Sequence, residues 1–219
     1  MRNTFLLVVA SLMTLSSVAC QHTPAARPRI EAADAKQDLI EGNQRFLAGD
    51  LENHTWLHEQ VVETGTYGQS PSIGVLSCAD SRVPLELIFD QGVGDLFVVR
   101  VAGNFEDAAA AGTFEYGVEA LGVHTILVLG HTKCGAVEAT LAGKKLPGNM
   151  PTFVAAIEPA IAAAGGEMTL DAAVEANVRW QQNAMLERSA ILRKAADEGR
   201  MQMLGAIYDV DTGKVRFID

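Results

Sequence analysis

Cys78, Asp80 and Arg82 lie close together in Leu76-Ser77-Cys78-Ala79-Asp80-Ser81-Arg82, and His131 and Cys134 stand three apart in Gly130-His131-Thr132-Lys133-Cys134-Gly135. Two thiols and an imidazole form a donor set that suits zinc, and three protein ligands leave a tetrahedral ion one open position. Bound zinc lowers the pKa of its water toward about 7, which makes hydroxide available near neutrality. Two thiolates cancel the ion's charge where three imidazoles would not, so the water should be less acidic and activity should favour alkaline pH. Asp80 adds a hydrogen-bond acceptor beside the first thiol, and Arg82 a planar fork that can grip it. Three rival readings apply: a plain Asp80–Arg82 ion pair capping the next helix, Asp80 as a fourth ligand, and a disulfide between the thiols.

Chemistry of this kind needs elements that bring the two motifs together. Residues 72–77, 96–101 and 125–129 are near-continuous apolar runs, the mark of parallel strands buried on both faces. A fourth strand is expected at 203–210 and a short one at 214–218 after the turn Asp211-Thr212-Gly213. Between them the pattern predicts helices over 84–90 and 108–121, and a long helical tract over 152–198 broken at Pro159 and Gly165-Gly166. Ahead of the sheet, an amphipathic helix is expected at 35–48, with Leu39, Ile40, Phe46 and Leu47 on one face and Gly49 as its stop. Another is expected at 55–64, presenting Leu57, Val61 and Val62 and ending at Gly65. The fold class is therefore α/β, a mainly parallel β-sheet of order 2-1-3-4 flanked by helices. Its topological switch point falls between strands one and three, whose carboxyl ends carry Cys78 and His131.

At 219 residues the chain fits one such domain after allowing for a leader. A net charge of -10 without a basic cluster argues against nucleic acid and anionic membrane surfaces as partners. Residues 1–20 read as a secretory leader, with Arg2, an apolar run Phe5 to Leu15, and Ser17-Val18-Ala19-Cys20 as a small-residue cleavage site. Cys20 after small residues resembles a bacterial lipobox, in which it would carry lipid; Ser17 stands where that pattern usually has Leu, and ordinary periplasmic cleavage is the alternative. Residues 21–33 read as a flexible tether and 34–219 as the single folded domain. His54 and His58 share a helix face without site partners and are read as solvated.

The two-part pattern, C-x-D-S-R and then H-x-x-C about fifty residues on, resembles the β-class carbonic anhydrases. The likeness runs from about Asp38 to Tyr208 and includes PLELIFDQGVGDLFVVRVAGN and FEYGVEALGV. It implies one Zn2+ per chain on Cys78, His131 and Cys134, with Asp80 and Arg82 as the catalytic pair and zinc-bound hydroxide hydrating carbon dioxide reversibly to bicarbonate. Gln69, Phe97 and Tyr116 match pocket positions of the plant-type subgroup, with Val101 as a further apolar wall. Gly135 fits close substrate approach or helix packing equally. Val75 replaces the Trp of the bicarbonate-regulated subtype. The resemblance also implies a homodimer or larger even assembly with a shared slot, in keeping with two amphipathic helices that have no evident place on a covered sheet. Alternatives are hydrolysis of carbonyl sulfide or carbon disulfide on the same scaffold, and a zinc-binding lipoprotein without turnover.

Overall fold

A computed structural model describes residues 31–53 and 57–218. The leader, Cys20, residues 21–30 of the tether and His54 lie outside the described residues. Strands β1 (Ile73–Ser77), β2 (Leu96–Arg100), β3 (Thr125–His131) and β4 (Gln202–Tyr208) pair in parallel, and β5 (Val215–Ile218) adds an antiparallel edge, giving the order β2-β1-β3-β4-β5. The expected 2-1-3-4 core is thus present, with one strand beyond it.

Alternate side chains of the two central strands feed two separate cores, as a pleat of period two requires. Leu76, Ile126 and Val128 pack with Phe114, Val137, Ile157, Val174 and Val178 on one face. Val75, Leu127 and Leu129 pack with Leu39, Leu85, Ile88 and Phe89 on the other. The first face is covered by α4 (Ala108–Tyr116), α5 (Gly135–Leu141), α6 (Pro151–Ala164), α7 (Leu170–Arg188) and α8 (Ala190–Asp197). The second is covered by α1 (Ala35–Ala48) and α3 (Leu85–Ile88), while α2 (Leu57–Tyr67) lies between α1 and β1 in the chain.

Helix α1 has the expected bounds and the expected left-handed stop at Gly49, and of the expected face Leu39 is buried and Phe46 packs beside it, but the buried stripe is centred on smaller residues. Ala35, Leu39, Gly42 and Asn43 point inward, while Leu47 is 43 % exposed. The approach is so close that a Cβ on Gly42 would lie 1.9 Å from the Phe89 carbonyl oxygen. Asn43 Nδ2 donates to the carbonyls of Ile88 and Gly213, and its Oδ1 accepts from Val215 N–H. Intimate docking selects small and amide residues, so counting large apolar positions found Leu39 and Phe46 but missed Gly42 and Asn43. The helix therefore has a place on its own sheet.

Other boundaries shift for local reasons. Helix α2 runs through Gly65 and stops at left-handed Gly68, with Val61 and Val62 exposed and Gln60 buried, its Oε1 accepting from Val93 N–H. Pro159 does not break α6: its missing N–H costs one bond, while Ile157 and Ala160 on the same helix are buried against the core. The break falls at Gly165-Gly166, both at positive φ, and an unexpected second break falls at Ser189, whose Oγ caps α8 through Leu192 N–H. Helix α4 continues into a π-helical stretch, Gly117–Leu121. Strand β3 extends two residues further than expected, which puts His131 on the strand itself.

Candidate metal centre

Strand β1 ends at Ser77, β3 at His131, and the two pair directly, so Cys78 and His131 emerge side by side at one edge of the sheet. Lys133 at φ +56° turns the chain back so that Cys134 opens α5 beside them. The ligand atoms of Cys78, His131 and Cys134 all lie within 4.8 Å of one another, and all three residues are buried. No disulfide joins the two thiols.

The hydrogen bonds say which atoms are free to bind. His131 Nδ1 lies 2.9 Å from the Thr132 carbonyl and so carries the proton that it donates there. Nε2 is then a bare lone pair, buried without a hydrogen-bond partner, and it belongs to the cluster with the two sulfurs. A buried unpaired acceptor is costly unless something else satisfies it, and a cation does. Cys134 as donor pulls the Cys78 thiol down to about 4 against the cost of burial, with help from the Gly103 N–H 3.3 Å from Sγ. The same contact raises Cys134, because a second buried negative charge beside the first is resisted. Two adjacent buried sulfurs that resist carrying two negative charges together are a place where a dication would be favoured. The donor set S, N, S fits zinc with an open position.

Asp80 stands at the mouth, its Oδ2 3.9 Å from His131 Nε2. Arg82 grips it in a fork, Nε to Oδ1 at 2.9 Å and Nη2 to Oδ2 at 2.8 Å, and also donates to the Lys133 carbonyl. These bonds hold the Asp80 carboxyl well below the usual carboxylate range. Arg100, which the sequence reading passed over, ends β2 and donates to the carbonyls of Cys78 (3.0 Å) and Asp80 (2.6 Å). Its signal was a lone guanidinium closing an apolar strand. Gly103 was passed over as well, and a backbone donor leaves no trace in residue type.

The pocket candidates separate into two groups. Val101 follows β2 level with Cys78, tied there by Val101 N–H to the Ser77 carbonyl and Ala79 N–H to the Val101 carbonyl. Gly135 begins α5, with open space where a Cβ would stand. Phe97, in contrast, pairs with Gly74, and at about 3.3 Å per residue that level is about 13 Å short of Cys78. Tyr116 packs on Phe97, ring centroids 6.2 Å apart, and is 55 % exposed. Gln69 is exposed ahead of β1, at the opposite edge of the sheet from the metal ligands.

Comparison with known proteins agrees with this geometry. The family model for carbonic anhydrase matches residues 73–215. Carbonic anhydrase 2 of Mycobacterium tuberculosis (strain ATCC 25618 / H37Rv) is 35 % identical over 193 residues, covering 85 % of this chain and 93 % of its own. Carbonic anhydrase of Mycolicibacterium smegmatis is 34 % identical, covering 86 % and 94 %. Among solved structures, the β-carbonic anhydrase CafA of Aspergillus fumigatus superposes with a TM-score of 0.66 at 28 % identity, covering 85 % of this chain and 88 % of its own. The Coccomyxa β-carbonic anhydrase in complex with acetazolamide gives 0.64 at 29 %, covering 76 % and 82 %.

Proposed function

The chain belongs to the β-carbonic anhydrase family and is a zinc-dependent carbonate dehydratase, and from that premise we propose how its residues divide the reversible hydration of carbon dioxide to bicarbonate and a proton. Cys78 Sγ, His131 Nε2 and Cys134 Sγ would hold one zinc ion per chain. When bound, it supplies the Lewis acidity that makes water nucleophilic near neutral pH. Asp80, ionised at working pH, accepts a hydrogen bond from the attacking water and so turns a lone pair toward the substrate carbon. Arg82 occupies both carboxylate oxygens and keeps Asp80 from swinging in as a fourth ligand. Val101 gives the apolar wall that a non-polar, weakly accepting substrate needs.

The slot is incomplete within one chain. Gln69, Phe97 and Tyr116 lie toward the far edge of the sheet, and β2, which carries Phe97, is an outer strand of half-buried residues. We assign them to the site of a twofold-related copy, so the active unit is a homodimer or larger even assembly of plant-type arrangement. Val75, buried in β1, stands where the bicarbonate-regulated subtype has Trp, so bicarbonate should act only as product. Placement in the bacterial envelope, with Cys20 as lipid anchor and the residues between it and the folded domain as tether, is supported by the leader sequence. Cys20→Ser should move the protein from the membrane fraction to the soluble periplasm, and a wild type already soluble selects simple cleavage.

The observation that carries the catalytic reading is the convergence of S, N and S donors beside an ionised, Arg-gripped carboxylate. Stopped-flow hydration of carbon dioxide by the zinc-loaded protein tests it, with carbonyl sulfide run in parallel. Faster turnover of the sulfur analogue would replace the assignment, and no turnover of either would leave only a zinc-binding protein.

A further inference from the structure

Helix α7 carries two fully buried amides, Asn177 and Gln181, one turn apart. Asn177 Nδ2 donates to the Gly103 carbonyl at 2.9 Å, and its Oδ1 accepts from Gln181 Nε2 at 2.9 Å. Gln181 Nε2 also donates to the Ala156 carbonyl, and its Oε1 accepts from Glu106 N–H at 2.9 Å. The segment 103–106 is thus held at both ends by side chains of α7. Gly103 in turn donates its N–H to Cys78 Sγ at 3.3 Å. Its φ is +83°, and a Cβ there would meet Ile157 Cδ1 at 2.5 Å, so the residue is confined to a conformation and a gap that only glycine fits.

Two buried amides are an expensive way to pack a helix on a loop, since apolar residues fill such positions without polar groups to satisfy. Both of these converge on the segment whose N–H meets a metal-binding sulfur. Partners of ligand atoms set the direction and electron density of the ligand, and losing one typically costs about 10- to 100-fold in metal affinity or activity.

We infer that Asn177 is a positioning residue of the metal centre: by holding the Gly103 carbonyl it keeps the Gly103 N–H on Cys78 Sγ, which aims that sulfur and draws charge from it. The inference deepens the carbonic anhydrase reading and rests on its metal site. Gln181 acts one bond further out, orienting the Asn177 amide so that its NH2 faces Gly103.

Asn177→Asp keeps the size of the side chain and can still accept from Gln181, but it turns an oxygen toward the Gly103 carbonyl. In the cobalt(II)-substituted full chain the sulfur-to-metal charge-transfer band should move to lower energy, because the thiolate loses a donor. Zinc affinity, measured by competition with a chelator, should fall about 10- to 100-fold. A variant that melts earlier yet keeps the wild-type band and zinc affinity would reduce Asn177 to packing and overturn the inference. Should the variant not fold, cadmium-113-loaded wild type decides: the Gly103 amide proton should couple to the metal through the sulfur, and a Gly103 amide without that coupling also overturns it. Wild type that takes up no metal would remove the metal-centre reading itself, which is a different failure.

Discussion

Replacing either sulfur of the centre removes one of the two negative charges that offset the dication, along with a buried ligand. Cys78→Ser and Cys134→Ser are each expected to drop zinc from one per chain to well below stoichiometric, read by metal analysis of dialysed protein; full occupancy in either would sink the ligand set. Asp80→Asn should keep its zinc, because Asp80 stands outside the ligand cluster, and lose about 10- to 100-fold in kcat, because an amide can donate to the water it should accept from. Near-native kcat would leave Asp80 with the Arg82 ion pair alone. These residues were legible in the sequence because thiol, imidazole and carboxylate have few competing uses at strand ends. Arg100, Gly103 and Asn177 were not, since they act through backbone groups or as amides of kinds found on any helix.

At the scale of elements, α1 decides how the second core closes, and its docking can be tested with one methyl group. Gly42→Ala should gain about 1 kcal/mol of helix propensity, but the added Cβ would lie 1.9 Å from a carbonyl oxygen that is backbone and cannot swing aside. Displacing the helix costs about 3 kcal/mol, so the melting temperature should fall; a rise would mean α1 is not docked as described. Beside it, the buried Asp90 carboxylate accepts from Arg45 and from the N–H groups of Glu52 and Asn53. Burial raises its pKa, but those bonds outweigh it and the net shift is downward. The stabilisation is therefore fully present above the unfolded value of about 4 and is lost as pH falls through the lower folded value. Asp90→Asn should cost about 3 kcal/mol in urea unfolding at pH 7, with a smaller gap to wild type at pH 3; an unchanged gap would contradict the linkage. The strands were legible from continuous apolar runs, whereas the Gly42 and Asn43 side of α1 and the run through Pro159 were not, because close packing between distant segments decides both.

For the whole molecule, the proposed division of pocket residues between two copies of the chain predicts that activity depends on assembly. Light scattering should give an even oligomer, and specific activity should fall on dilution as subunits part while zinc stays bound. A monomer with full activity would require Gln69, Phe97 and Tyr116 to have no part in the slot. The proposed twofold copy was inferred from resemblance and from two amphipathic helices, and α1 docks on its own sheet, so the resemblance now carries that inference. The clamp of α1 on the last strands has another outcome. The Ala32 carbonyl is bonded to Gln202 at the start of β4, while Ile218 pairs with Gly205 on the same strand, so the two ends of the fold lie about 10 Å apart along β4. The domain is nearly a closed ring. Joining residue 218 to residue 32 through a few glycines and opening the exposed 143–149 connection should yield a circular permutant that still folds, with its metal edge untouched and new ends to which a carrier surface can be attached.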